Sequence, residues 1–319
     1  MVFRLQPAFK DYLWGGTRLK TDFGFETDLD PVAEGWMLSC HKDGQNVICN
    51  GDFRGKTLGE ALSALGEAAL GTHCRGRHEF PILIKLIDAK QNLSVQVHPD
   101  DAYARRVEGE PGKTECWYIL DCTDGAELIY GFQKSIDRAE FRRRIADNTF
   151  LEVVNHVKVH KGDFFFIEAG TLHAIGGGIL LAEIQQNSNT TYRVYDYGRV
   201  GADGKPRALH TEKALDVTVT TPPARAGRPE GEKEQFDGYT RQLLTACDLF
   251  TVREFEVTRA YEGLANETSF VSLLITEGEG RLQAENEDFD LKKGDSLLLT
   301  ANSGAFRVCG QLKLIETRV

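Results

Sequence analysis

The chain has 319 residues, 41% apolar and 27% charged, with a formal net charge of −10. This length allows two domains or one large one with ample core, and the composition is that of a globular protein. The acidic balance argues against nucleic acid or an anionic membrane as partner, yet a few local Lys and Arg can still hold a phosphorylated metabolite.

The N-terminus, MVFRLQPAFKDY, carries no long apolar run, and no stretch approaches the ~18 apolar residues of a bilayer span, so neither a signal peptide nor a membrane segment is expected. Residues 56–71, KTLGEALSALGEAALG, place Leu58, Leu62, Leu65 and Leu70 at helical spacing. FPILIKLID (80–88) reads as a strand. SVQVHPDD (94–101) alternates Val95 and Val97 with Gln96 and His98 before Pro99 ends the strand. The amide and the imidazole therefore point the same way, either to water or onto a shared target.

In GKTECW (112–117), Lys113, Glu115 and Trp117 share one strand face. A carboxylate beside Trp is poorly placed for simple solvation and needs a partner. Strands follow at CWYILDC (116–122) and AELIYGF (126–132), then a helix over 135–148 with Ser135 as its cap. DFFFIEA (163–169) is another strand, and GTLH carries His173. In LLAEIQQNSNTTYRVYDYGR (180–199), Glu183 and Gln185 share one face, and Arg193 and Tyr195 share another with Thr191. This stretch is either an exposed edge strand or a sugar-binding wall.

Residues 220–238 hold three Pro and three Gly among many charges and read as a linker or long surface loop. Strands resume at about 241. KGDFFFIEAGTLH (161–173) and KGDSLLLTANSGA (293–305) form an internal repeat, each preceded by strands with a Gly-rich turn. The repeat predicts a mainly β chain with a few helices, built as two β-barrel (jelly-roll) domains. Residues 1–220 would carry the chemistry, 221–240 would link, and 241–319 would form a second barrel. The second copy has Ala305 where the first has His173, and no His follows His210, so the second barrel is expected to be metal-free.

Gln96, His98, Glu115 and His173 offer one amide oxygen, two imidazoles and one carboxylate. Singly, His98 and Glu115 read as surface or hydrogen-bonded residues rather than as ligands. Together the four suit Zn²⁺ or another first-row divalent ion with a position left open. Two His and one Glu also suit Fe(II), which keeps a dioxygenase open as the alternative, and a non-catalytic sugar-binding regulator is a third reading. The seven Cys, at 40, 49, 74, 116, 122, 247 and 309, include no C-x-x-C pair and are odd in number, which predicts free thiols in a cytoplasmic protein.

WGGTRL (14–19), Q-x-H-P-x-D (96–101), K-T-E-x-W (113–117), G-T-x-H-A-I-G (170–176) and the stretch from Glu183 to Arg193 occur in the same order as in type I mannose-6-phosphate isomerases. The chain resembles their short bacterial form, over nearly its whole length. One departure is Glu34-Gly35-Trp36-Met37, where members often read E-S-W-E. The resemblance implies a cupin fold with a catalytic and a C-terminal barrel, and interconversion of mannose 6-phosphate and fructose 6-phosphate through an enediol. It implies one zinc ion per chain on Gln96, His98, Glu115 and His173. It also implies a catalytic Arg193 and a substrate pocket lined by Ser94 and Lys113. Moving a proton between C2 and C1 needs an acid–base group, for which Glu183, Lys113 and a metal-bound water are the candidates.

Overall fold

The computed structural model describes residues 1–319 except 78, 201–203, 226 and 286. Its architecture is mainly β, in two jelly-roll halves whose sheets remain open rather than closing into barrels. In the first half, a six-stranded sheet runs in the order Phe164–Ile167, Glu115–Cys122, Ile179–Gln186, Ile82–Ala89, Glu34–Leu38, Ala8–Lys10. A five-stranded sheet runs Tyr192–Tyr195, Val95–Val97, His173–Ile175, Glu127–Phe132, Val154–Lys158.

Period-two alternation sorts the strand residues into three layers. Trp117, Ile119, Leu181, Ile87, Tyr130 and Ile175 point between the two sheets. Cys116, Tyr118, Leu86, Ala182 and Ile184 point the other way, onto Leu244, Phe250, Leu274 and Ile315 of the second half. Val95, Val97 and Ala174 leave the five-stranded sheet on its outer face and pack on Phe141, Ala214 and Leu215 of two helices.

The first predicted helix forms over Leu58–Leu65, opened by a Thr57–Glu60 capping box and stopped by Gly66 at φ +76°. The second spans Arg138–Ala146, and its cap is Asp137 rather than Ser135. The Asp137 carboxylate accepts from Glu140 N at 2.7 Å. Ile136 precedes the cap and joins Phe141 in one apolar cluster, at the spacing of a hydrophobic staple. Ser135 lies two residues too early, in a stretch where Ile136 N bonds Thr220 O outside the helix.

The K-G-D repeat recurs as one turn built twice. His160 N donates to Asp163 at 2.8 Å, and Lys292 N donates to Asp295 at 2.9 Å. Gly162 and Gly294 sit at φ +92° and +91°, where a side chain would be strained. Ile119 N bonds Asp163 O and Ile275 N bonds Asp295 O, both at 2.9 Å. From that anchor, Ile167 faces Glu115 in the first half and Leu299 faces Val271 in the second. Val271 therefore stands where the first half has Glu115, and Ala305 where it has His173.

The two halves interleave. Val2–Gln6 pairs with Ser296–Leu299, and Val47–Ile48 extends the same sheet, so the N-terminus is built into the second half. The Pro/Gly-rich stretch is also partly ordered: Lys233–Phe236 is a strand on Tyr239–Ala246, and Arg225 lies 4.1 Å over the Phe166 ring.

Candidate metal centre and active site

Because Val95 and Val97 are spent on the outer face, Gln96 and His98 turn inward. His173 opens its strand opposite Gln96 in register. Glu115 begins the strand whose next inward residues, Trp117 and Ile119, are core. A row of cross-strand neighbours, Trp36, Lys85, Glu183 and Trp117, runs over the same interior. Three sequence-distant strands thus deliver His98, Glu115 and His173, all buried, with ligand atoms within 4.8 Å of one another.

The imidazoles are oriented from behind. His98 Nδ1 lies 3.0 Å from Thr190 O and His173 Nδ1 2.8 Å from Thr171 O. A carbonyl only accepts, so each Nδ1 carries the proton and each Nε2 presents a lone pair. Those two Nε2 atoms are 3.1 Å apart. Glu115 Oε2 is 3.6 Å from His98 Nε2, and Oε1 is 3.6 Å from His173 Nε2. Neither Glu115 oxygen has a partner in hydrogen-bond alignment, although Lys113 Nζ lies 2.5 Å from Oε2. Two facing lone pairs and a buried carboxylate fit a divalent cation. Burial, then Lys113, pushes His173 down to about 3, and burial, Lys113 and His173 push His98 well below its usual value. Both rings stay neutral, the form that ligates.

Lys113 Nζ is 3.0 Å from His98 Nε2 and 3.8 Å from Glu183. Glu183 also accepts from Trp117 Nε1 at 3.0 Å and lies 3.2 Å from Lys85 Nζ. Burial raises the Glu183 carboxyl, but Lys113 and Lys85 outweigh it and hold the group low. Burial and the neighbouring Glu183 raise Glu115 instead. Burial pulls Lys85 down, but Glu34, Glu183 and Glu115 more than reverse this, so the amine stays charged.

Gln96 is half-buried, between His173 and Arg193 in register, and Ser94 is buried two residues before it. Arg193 Nη1 donates to Ala208 O at 3.0 Å, while its Nε is buried without a partner. Tyr195 does not share the Arg193 face, contrary to the alternation expected from the sequence. The register shifts between them, with Arg193 opposite Gln96 and Tyr195 opposite Val95. This bulge turns Tyr195 to the outer cluster and leaves the inner side to Asp196.

Sequence reasoning passed over Lys85 and treated Glu34 only as a departure. Lys85 interrupts the apolar run from Ile82 to Ile87 at the parity of Ile87, which was a readable signal. Glu34 accepts from Trp36 Nε1 at 2.7 Å and lies 3.6 Å from Lys85 Nζ. The WGG motif is structural: a Cβ on Gly16 would lie 2.3 Å from Asp88 Oδ2, which accepts from Arg18 N.

Residues 2–118 match the phosphomannose isomerase type I catalytic domain, and residues 240–319 match the mannose-6-phosphate isomerase cupin domain. A mannose-6-phosphate isomerase of Bacillus subtilis is 40% identical over 318 residues, covering 98% of each chain. That of Streptococcus mutans is 37% identical over 313 residues, covering 98% of this chain and 96% of its own. The crystal structure of the mannose 6-phosphate isomerase from Bacillus subtilis superposes with a TM-score of 0.92 at 37% identity, over 100% of this chain and 99% of that one. Similar to such relatives from end to end, the chain belongs to the type I mannose-6-phosphate isomerase family.

Proposed function

We propose that this protein interconverts mannose 6-phosphate and fructose 6-phosphate, using one zinc ion held by Gln96, His98, Glu115 and His173. The observation that carries the reading is the pair of neutral Nε2 atoms aimed at each other beside an unaligned, buried Glu115. The bound ion supplies a positive charge against which a carbonyl or enediolate oxygen is polarised.

The chain's own groups have separate tasks. The reaction moves a proton between C2 and C1, so a positioned acid–base group is required. Lys113 is the best placed: its present partners are His98 and Glu115, and their engagement as ligands frees its amine for the substrate. Glu183 is held too acidic to be an efficient base, and its clamp on Lys85 and Lys113 orients both. Arg193, always charged, faces the enediolate as an electrostatic partner. Ser94 lines the pocket with a hydroxyl.

Residues 1–220 carry this site, with 221–240 as connection, and residues 241–319 serve as a metal-free packing half. Val271 and Ala305 at the positions of Glu115 and His173 support that division. Seven free cysteines support a cytoplasmic setting. Among the described residues, no helix is long and apolar enough to cross a membrane.

The test is incubation with mannose 6-phosphate, with and without chelator, following fructose 6-phosphate. Turnover abolished by chelator is expected. Oxygen consumption with an iron requirement, and no ketose product, would replace this reading with the dioxygenase one.

A further inference from the structure

The two imidazoles of the site are oriented in different ways. His173 bonds the carbonyl of Thr171, two residues away on its own turn. His98 bonds the carbonyl of Thr190, in a distant part of the chain. Thr190 lies in the connection 187–191, between the strands Ile179–Gln186 and Tyr192–Tyr195, where no strand ladder holds the backbone. The direction of the His98 lone pair therefore depends on how this connection is fixed.

Gln185 fixes it from inside. It follows Leu181 and Glu183 on the inward face of its strand, stands opposite Glu115 in register, and is fully buried. Its amide Nε2 donates to Gln186 O at 2.7 Å and to Ser188 O at 2.6 Å. Both partners are carbonyls, which only accept, so the nitrogen end of the amide is the one that faces them. Its Oε1 is buried with no donor among the described residues, so the side chain is committed to the connection rather than to a strand neighbour. From there the bonds run on to the metal ligand. Ser188 N donates to Gln186 O at 2.7 Å, Thr190 N donates to Ser188 Oγ at 3.2 Å, and His98 Nδ1 donates to Thr190 O at 3.0 Å.

The same stretch braces the neighbour of Glu115. Gln186 N donates to Thr114 O at 3.1 Å, and Thr114 N donates to Gln186 Oε1 at 2.9 Å. Gln186 Nε2 donates in turn to Asp101 at 3.1 Å, which also accepts from Gly112 N at 2.7 Å. One short segment thus carries the backing of His98 and borders Glu115. Glutamine suits the inner position because one planar amide supplies two N–H donors. An ionised Glu supplies none, and Met fills the same length with none.

We propose that Gln185 is a positioning residue of the metal centre: by pinning the Gln186 and Ser188 carbonyls it fixes Thr190 O and, through it, the aim of His98. The proposal rests on the reading of His98, Glu115 and His173 as metal ligands, and its readouts need no turnover. A group behind a ligating imidazole sets the orientation of the ring, and its loss weakens metal binding about ten- to a hundredfold.

Zinc affinity, measured by competition with a chromogenic chelator, should fall about ten- to a hundredfold in Gln185→Met, which keeps the side-chain length and removes the donors. With Co²⁺ in place of zinc, the visible absorption spectrum of the variant should shift, because it reports the ligand geometry around the ion. Asp137→Ala, weakened at the cap of a helix on the outer side of the five-stranded sheet, should lose stability with zinc affinity and cobalt spectrum unchanged. Where Gln185→Met does not fold, Ser188→Ala decides: loss of the hydroxyl that holds Thr190 N should move affinity and spectrum in the same direction. Wild-type affinity and spectrum in Gln185→Met, or in Ser188→Ala where the former does not fold, would overturn the proposal even if stability fell. Wild-type protein that binds no zinc would overturn it together with the metal reading. Zinc affinity lost in the variant, in a protein whose wild type binds zinc but never makes fructose 6-phosphate, would leave the positioning role standing and refute the isomerase reading alone.

Discussion

His98, Glu115 and His173 were legible only together, each on or at the end of a strand whose other face is visibly apolar. Lys85 stood out as a charge within an apolar run, but its row with Trp36 and Glu183 did not, since register between distant strands is not written locally. Two predictions belong to this scale. Arg193→Ala should keep metal and fold yet lose roughly 10²–10³-fold in kcat, as expected for one preorganised electrostatic donor. A near-normal kcat with raised KM would instead place Arg193 on the phosphate. The second concerns acid. The folded forms of His98 and His173 are depressed from 6.5, so below that pH the unfolded chain takes up two protons that the fold refuses. Glu115 is raised and returns one in the opposite sense. Metal-free protein should therefore lose stability as pH falls from 6.5 towards 4.5, at about 1.4 kcal/mol per pH unit for the net proton. Glu183, depressed from 4.5, adds to the loss below that pH. Urea midpoints of chelated protein at pH 7, 6 and 5 measure the effect, and a midpoint that rises on acidification contradicts it.

At the scale of elements, alternation located the strands, and the K-G-D repeat located two copies of one turn. Exceptions arose where a single residue changed the count. The bulge after Arg193 moved Tyr195 off the expected face and put Asp196 there, a shift that strict period-two reading cannot foresee. Helix 138–146 begins at Asp137 because its carboxylate caps Glu140 N, with Ile136 and Phe141 placed as a staple about that cap and not about Ser135. Asp137→Ala should cost about 1 kcal/mol, read as a shift in the urea midpoint, whereas Ser135→Ala should cost far less. Equal effects at the two positions would show that the cap is misassigned.

Across the whole molecule, the sequence spoke for two jelly-roll halves but not for their interleaving, because pairing of Val2–Gln6 with Ser296–Leu299 joins residues almost a chain length apart. That pairing makes the second half part of the first one's foundation. Cutting at 240 would strip Val2–Gln6 of Ser296–Leu299 and Lys233–Phe236 of most of Tyr239–Ala246, and would bare Ile84, Tyr118, Phe164 and Phe166. The fragment 1–240 should aggregate although it keeps every proposed ligand. A soluble fragment with full activity and an unchanged melting temperature would remove the packing role. At the centre of the molecule lies the proposed single catalytic ion on Gln96, His98, Glu115 and His173. Its most direct test is titration of chelated protein with zinc while following fructose 6-phosphate formation from mannose 6-phosphate. Activity should rise linearly and saturate at one ion per chain, and His98→Ala and His173→Ala should stay flat. Full turnover without metal, or saturation only at two ions per chain, would contradict it.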